Sequence, residues 1–120
     1  MPIDTTAFAE AWIAAWNARD LDAVLSHYAP EIVFLSPYAE RVIGTGRVVG
    51  SGALRAYWRR GLDANPDLHF ELDTVLAGFN ALTILYRNHH GQRVAETVEF
   101  DEAGKVVRSF ACYTIRTEFN

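Results

Sequence analysis

The spacing of apolar residues near the start of the chain predicts an amphipathic helix. Phe8, Trp12 and Trp16 recur at every fourth position, with Ala11 and Ala15 beside them. This spacing places large aromatic side chains on one helix face. The Asp-Thr-Thr segment at 4–6 precedes the repeat and offers side-chain oxygens that can cap the first turn.

Two further helices are predicted in the first half of the chain. The second begins after Asp20 and ends at Pro30, because a residue before proline is disfavoured in helical conformation. Its apolar face comprises Leu21, Val24, Leu25 and Tyr28. The third is capped by Ser51 and stops at residues 65–67 (Asn-Pro-Asp). Its apolar face comprises Leu54, Tyr57, Trp58 and Leu62.

Short β-prone runs separate the second and third helices. Ile32–Leu35 predicts one short strand, closed by Ser36 and Pro37, and Arg41–Ile43 is interpreted as a second. Residues 44–52 contain four glycines and are expected to form a loop.

The second half of the chain has the pattern of consecutive strands. The predicted strands are Leu68–Leu76, Ala81–Asn88, Arg93–Phe100 and Lys105–Thr117. Short turn signals between them indicate an antiparallel meander. Three helices followed by a meander predict an α+β fold, in which a curved, cone-shaped antiparallel sheet carries the helices on its concave face.

Composition and charge restrict the class of protein. The 120 residues suit a single domain spanning 1–120, with 50% hydrophobic and 22% charged residues. A net charge of −4 argues against nucleic-acid binding. No apolar run is long enough to span a membrane. A single cysteine and an acidic start to the chain favour a cytoplasmic location.

One acidic residue interrupts an apolar strand face. In the strand from Arg93, side chains alternate, and Glu96 shares its face with Val94, Val98 and Phe100. A buried carboxylate must be paired, hydrogen-bonded or neutral. Glu96 is therefore either a proton donor in a pocket or an edge residue paired with an arginine. Arg87 shares its face if the turn has two or four residues, and Tyr86 does so if the turn is a three-residue bulge.

Other residues with reactive side chains carry weaker signals. His27 is expected to be half-exposed on its helix, and His89 and His90 to be solvated in a turn. Cys112 has no evident base beside it and is expected to be a small buried hydrophobic residue. No metal-ligand spacing is visible.

Four segments resemble the SnoaL-like proteins of the nuclear transport factor 2 superfamily, which includes ketosteroid isomerases, polyketide cyclases and limonene epoxide hydrolase. They are WIAAWNARDLD at 12–22, HYAPEIVFLSP at 27–37, GALRAYW at 52–58 and VAETVEFDEAGKVV at 94–107. The resemblance covers nearly the whole chain and implies the cone-shaped fold more strongly than any chemistry.

The resemblance also implies roles for individual positions. Glu96 falls where ketosteroid isomerases hold a protonated aspartic acid, and Trp12 where they hold a tyrosine. Ser36 falls at the position of their general base, and a serine hydroxyl has no useful basicity alone, which argues against that activity. The chain also shows no Asp-Arg-Asp set of the kind limonene epoxide hydrolase uses. Tyr113 is expected to point into the cavity.

The sequence thus predicts a hydrophobic small-molecule pocket in which Glu96 acts as acid/base or hydrogen-bond donor, in an isomerase, cyclase, dehydratase or hydrolase. No cofactor or metal is required. The residues expected to shape the site are Trp12, Tyr28, Phe34, Ser36, Tyr57, Arg87, Ser109 and Tyr113.

Two alternatives remain open. The missing acid at Ser36 favours a non-catalytic ligand-binding domain. The outer sheet face, with Thr97, Arg108, Phe110 and Cys112, suggests an interaction module, and we expect a homodimer through that face. Dimerisation is compatible with either of the pocket functions.

Overall fold

Four helices and six strands make up the part of the chain that the computed structural model describes, residues 3–115. The helices are α1 (Thr5–Asn17), α2 (Leu21–Leu25), α3 (Pro37–Ile43) and α4 (Ser51–Ala64). The strands are β1 (Tyr28–Leu35), β2 (Arg47–Val49), β3 (Glu71–Gly78), β4 (Ala81–Arg87), β5 (Arg93–Phe100) and β6 (Val106–Tyr113).

The strands form one curved, unclosed sheet in the order β2-β1-β6-β5-β4-β3. β3 to β6 are the predicted antiparallel meander, and the α+β class is confirmed. One pair differs from the prediction, because β1 runs parallel to β6. The long stretch of chain between these two strands supplies the crossover that a parallel pair requires. The predicted end of the last strand, at Thr117, lies outside the described residues.

The first helix is capped as predicted. The Asp4 carboxylate accepts a hydrogen bond from the backbone N–H of Ala7 at 3.0 Å. Its aromatic face is buried, since Trp12 is 4% exposed and Trp16 is 5% exposed. α1 therefore brings two indole rings against the inner face of the sheet.

The second helix is shorter than predicted, and Tyr28 is the first residue of β1 rather than part of α2. The Ser26 hydroxyl donates to the Ala23 carbonyl at 2.8 Å. The His27 carbonyl accepts a hydrogen bond from the Val106 N–H at 2.8 Å. This bond joins the start of β1 to β6. Pro30 lies within β1 where the pairing with β6 is irregular, so its missing N–H costs no ladder bond.

The strand interpretation of Arg41–Ile43 is wrong, because these residues close helix α3. Ser36 caps α3 by accepting from the Tyr38 N–H at 3.2 Å, and Pro37 occupies the first turn, where proline is favoured. Gly44 ends the helix in a left-handed conformation with φ of 83°. These capping signals outweigh the β propensity of the three residues.

The glycine-rich stretch and the last helix differ in detail from the prediction. Residues 47–49 within the expected loop form the short strand β2, which pairs with β1. α4 is capped by Gly50 with no side-chain hydrogen bond, so Ser51 is its first residue rather than its cap. The helix ends before Asn65, as the Asn-Pro-Asp segment predicts.

The hairpin between β4 and β5 decides which side chains share a face with Glu96. Arg87 pairs with Arg93, so the connecting loop comprises residues 88–92. This register places Ile84 opposite Glu96, and Tyr86 on the same face. The expectation that Arg87 belongs to this face is wrong: its side chain is exposed and its guanidinium donates to the Gly91 carbonyl at 3.2 Å.

The core lies between the inner face of the sheet and the helices. α1 packs against β3, and α4 packs against β1 and β2. From the sheet, Leu82, Ile84 and Val98 are essentially inaccessible to solvent. The buried side chains of the helices include three indole rings, those of Trp12, Trp16 and Trp58, and the last two meet edge to face.

Candidate functional site

A cavity of about 140 Å³ lies between the helices and the inner face of the sheet. Its helical walls are the rings of Trp12, Trp16, Tyr57 and Trp58. Its remaining aromatic walls are Phe34, Phe70, Tyr86 and Tyr113. Glu96 is the one acidic residue among the described residues that line it. The cavity is thus an apolar chamber with a single carboxyl group in its wall.

Glu96 is held in this wall by its position at the centre of β5. It lies opposite Ile84 on one side and Ala111 on the other, and is 3% exposed. The Ser109 hydroxyl donates to its Oε2 atom at 2.5 Å. Within residues 3–115, no arginine, lysine or histidine forms an ion pair with it. The carboxyl group is therefore desolvated without a compensating positive charge.

Burial determines the protonation state of this group. Desolvation raises the pKa of Glu96 from 4.5 to about 8, and the hydrogen bond from Ser109 only partly opposes the rise. At neutral pH roughly nine-tenths of the molecules hold the neutral acid. A neutral carboxyl group has an O–H that can donate to a ligand oxygen, which a carboxylate lacks.

The tyrosines around Glu96 are also neutral donors. Burial raises the pKa of Tyr28, Tyr86 and Tyr113, and the neighbouring Glu96 raises each further. The Trp12 indole N–H donates to the Tyr28 hydroxyl oxygen at 3.1 Å. The Trp12 donor, expected from the resemblance to face a ligand, is therefore already engaged inside the protein.

A second, larger chamber of about 510 Å³ adjoins the first and shares lining residues with it. The shared residues are Tyr57, Gly61, Asn65, Leu68, Phe70, Tyr86 and Tyr113. The outer chamber has a polar rim, formed by Tyr38, Arg60, Asn88, His89, His90 and Gln92. We call the two spaces the inner and outer chambers. Together they form a path from an aromatic interior to a polar mouth.

His89 lies in the rim and is not solvated as expected, since its side chain is 10% exposed. Its Nε2 atom lies 3.3 Å from the Asn65 Oδ1 atom and 3.8 Å from a carboxylate oxygen of Asp67. Burial and the neighbouring His90 ring lower the pKa of His89, and Asp67 only partly opposes this. His90, by contrast, is exposed as expected.

The predicted site residues fall into three groups. Those that line the inner chamber are Glu96, Trp12, Phe34, Tyr57 and Tyr113. Those buried behind its wall are Tyr28, Ser36 and Ser109. Arg87 lies outside, on the opposite sheet face.

The main residues that the sequence did not single out are Trp16, Phe70 and His89. Trp16 lies one turn after Trp12 on the same helix face, which is a signal that the sequence contains. Phe70 immediately precedes β3, and it alternates with Leu68 and Leu72 in the predicted strand, which is also a signal that the sequence contains. His89 is buried only because Asn65, distant in sequence, packs beside it, and no local pattern reveals such a contact.

Two other side chains lie away from the chambers. His27 is exposed and packs on Phe8, with ring centroids 5.7 Å apart. Cys112, expected to be buried, is exposed on the outer sheet face. Because side chains alternate along β6, Ala111 points inward and Cys112 points outward. No described element covers the outer face of the sheet at this point.

A metal-binding cluster and a membrane-spanning helix are both absent from residues 3–115. No group of three or more His, Cys, Asp or Glu side chains is arranged to hold a metal ion. None of the described helices combines the length and the apolar character that a membrane-spanning helix needs.

Comparison with known proteins places this geometry in context. Residues 9–118 match the family model described as SnoaL-like domain. A SnoaL-like protein of unknown function from Burkholderia thailandensis is 41% identical, with a TM-score of 0.89 over 92% of this chain and 94% of that one.

More distant solved structures share the fold. AclR from Streptomyces galilaeus, a candidate hydroxylase, is 24% identical with a TM-score of 0.74, over 94% of this chain and 90% of that one. A candidate isomerase of the SnoaL-like family from Agrobacterium tumefaciens is 16% identical with a TM-score of 0.73, over 92% and 97%. No curated protein matches this chain in sequence.

Proposed function

The chain belongs to the SnoaL-like domain family, and from that premise we propose that it binds an apolar small molecule in the inner chamber and uses neutral Glu96 as a proton donor to a ligand oxygen. The reaction class that suits this group is acid-assisted isomerisation, cyclisation, dehydration or hydrolysis. The observation that supports the proposal is the buried Glu96 carboxyl group, whose hydrogen-bond partner within residues 3–115 is Ser109 alone.

The chemistry of such a donor depends on its surroundings. When negative charge develops on a ligand oxygen, a fixed donor in a water-poor chamber stabilises it more than water does. A pKa of about 8 lies close enough to neutrality for the group to give up and recover a proton during turnover. The aromatic walls fit a flat, apolar ligand and exclude water around the carboxyl group.

A second candidate function is non-catalytic ligand binding. Ser36, at the position that the resemblance gives to a general base, accepts the Tyr38 N–H as the cap of α3. Its hydroxyl therefore has a structural role, and among the described residues that line the inner chamber Glu96 has no general base beside it. Both functions use the inner chamber, and they differ in whether a covalent bond of the ligand is made or broken.

The proposed donor can be tested with 2-acetylnaphthalene, an apolar aromatic ketone. Three tryptophans line the inner chamber, so binding is followed by tryptophan fluorescence. We expect Glu96→Met to weaken binding about fivefold, the worth of one neutral hydrogen bond. Wild-type affinity should also fall as pH rises through about 8, when Glu96 ionises. Glu31→Met, at an exposed position of β1 that lines neither chamber, is the matched control and should change neither result.

The same probe separates catalysis from binding. Exchange of its acetyl protons with deuterated water requires enolisation, which a donor at the carbonyl oxygen assists. Faster exchange with wild type than with Glu96→Gln supports an enzyme. Normal binding without exchange favours the non-catalytic domain. Equal affinity of wild type and Glu96→Met, with a flat pH profile, contradicts the proposed donor.

We also propose that two copies of the chain associate through their outer sheet faces. On this face Thr97 lies opposite Phe110, and Glu99 opposite Arg108. The Arg108 Nε atom lies 3.9 Å from a carboxylate oxygen of Glu99. In a two-fold interface the same patch of two copies meets, so a patch that carries one positive and one negative charge can place each charge against the opposite charge of the second copy.

The dimer is tested by sedimentation at micromolar concentration. We expect wild type to sediment as a dimer and Phe110→Glu as a monomer. Phe79→Glu, which changes an exposed phenylalanine in the β3–β4 turn, should leave the dimer intact. A wild-type protein that sediments as a monomer would reject the proposed association.

A further inference from the structure

Two buried side-chain atoms lack a hydrogen-bond partner within residues 3–115: the Trp16 Nε1 atom and the His89 Nδ1 atom. Buried polar atoms in proteins are almost always paired, so each such atom calls for an explanation. Both residues line the proposed ligand site, Trp16 in the inner chamber and His89 in the outer. Their coincidence with the two chambers suggests that a ligand supplies the missing partners.

At the inner end, Trp16 offers a donor. Its indole N–H can only donate, and Trp16 is 5% exposed. Trp12, one turn earlier, already donates to Tyr28. Trp16 therefore has the free indole donor that Trp12 lacks, in the same chamber as the Glu96 carboxyl group. An acceptor oxygen of a ligand would satisfy the Trp16 N–H.

At the outer end, His89 offers an acceptor. The Asn65 amide nitrogen donates to the Gly61 carbonyl at 2.9 Å, which turns its Oδ1 atom toward His89. An amide oxygen can only accept, so the proton of the neutral imidazole lies on Nε2. The Asp67 carboxylate, 3.8 Å from Nε2, favours the same tautomer. The Nδ1 atom then carries a lone pair that can accept a hydrogen bond.

We propose that the ligand is an elongated aromatic compound with an oxygen group at each end. The oxygen at the inner end accepts hydrogen bonds from Trp16 and Glu96. The hydroxyl group at the outer end donates a hydrogen bond to the Nδ1 atom of His89. The two chambers share lining residues, so the proposed molecule extends from one chamber into the other. The exposed His90 ring packs against the His89 ring at a tilt, with centroids 3.9 Å apart, and is the group that the outer end would displace. This inference rests on the proposed function, since it uses the same chamber and the same acid.

The test uses four naphthalenes that differ only in these groups: naphthalene, 2-naphthol, 2-acetylnaphthalene and 6-acetyl-2-naphthol. We expect 6-acetyl-2-naphthol to bind wild type most tightly and each lost hydrogen bond to cost about fivefold. Trp16→Phe should reduce the advantage of the acetyl group about fivefold, leaving the part that Glu96 supplies, and should keep the advantage of the hydroxyl. His89→Phe should do the reverse. His27→Phe, which changes an exposed histidine that lines neither chamber, is the matched control and should preserve both advantages.

A measurement on the wild-type protein covers the case in which Trp16→Phe does not fold. The indole ¹⁵N–¹H signal of Trp16 should move downfield with the two acetyl compounds and much less with 2-naphthol. The Trp12 signal is the internal reference, because its N–H is already bound to Tyr28.

The outcomes distinguish this inference from the proposed function. If wild type binds none of the four compounds, the proposed ligand chamber itself is wrong. If all four bind with affinities independent of their oxygen groups, or if both variants weaken all four equally, the two-ended ligand is overturned while the apolar chamber stands. Group-specific losses in the two variants support the inference.

Discussion

The uncompensated burial of Glu96 predicts that the protein loses stability as pH rises. The native state raises the pKa of this group from 4.5 to about 8, so between these values the folded protein retains a proton that the unfolded chain has released. Raising the pH therefore favours unfolding. The stability is fully present below the unfolded pKa and is lost as the pH rises through the native pKa. From the two pKa values, the loss between about pH 5 and about pH 9 is about 4 kcal/mol.

Other groups also titrate in this range, so the prediction concerns the difference between wild type and Glu96→Gln. The glutamine is neutral at every pH and retains an oxygen that can accept from Ser109. Urea unfolding at intervals from about pH 5 to about pH 9 gives the free energy of unfolding of each protein. The gap between the two should change by about 4 kcal/mol in favour of the variant. Parallel curves over the whole range would refute the reasoning, because they would mean that Glu96 titrates alike in the folded and unfolded chains.

Three further predictions concern individual contacts. Ser109→Ala removes the donor that lowers the pKa of Glu96, so the pKa of Glu96 should rise further in a ¹³C NMR titration; an unchanged or lower value would contradict this hydrogen bond. Ile84→Ala, at a position with no solvent exposure, should lower the free energy of unfolding by about 2–5 kcal/mol in urea, and a loss below about 1 kcal/mol would indicate looser packing than described. Asp20→Ala removes the cap that accepts from the Ala23 N–H at 3.1 Å and should cost about 1 kcal/mol by the same measurement, whereas no loss would show that the cap is dispensable.

The periodicity of the sequence predicts β4 and β5 well because each of these strands has one buried face. Alternation along β5 identified Glu96 as an acid on the inner face, and the structure has it there. The hairpin after β4 could not be predicted to the residue, since loops of different length fit the same turn signals. The five-residue loop at 88–92 turned Tyr86 inward and Arg87 outward. A one-residue difference in register exchanges the two faces of a strand.

The inner end of the site was more predictable than the outer end. The aromatic face of α1 and the odd acid in β5 are both local patterns, and they meet in the inner chamber. The burial of His89 depends on Asn65 at the end of α4, and the engagement of Trp12 depends on Tyr28 in β1. Contacts of this kind join residues far apart in sequence, so periodicity does not reveal them.

The proton on Glu96 is most directly observed by ¹³C NMR of the glutamate side-chain carboxyl carbons, with Glu96→Gln to assign the signal. The Glu96 signal should titrate at about pH 8. A Glu96 signal that titrates near 4.5, the ordinary value for this side chain, would contradict it, because the carboxyl group would then be charged at neutral pH and could not donate a proton to a ligand.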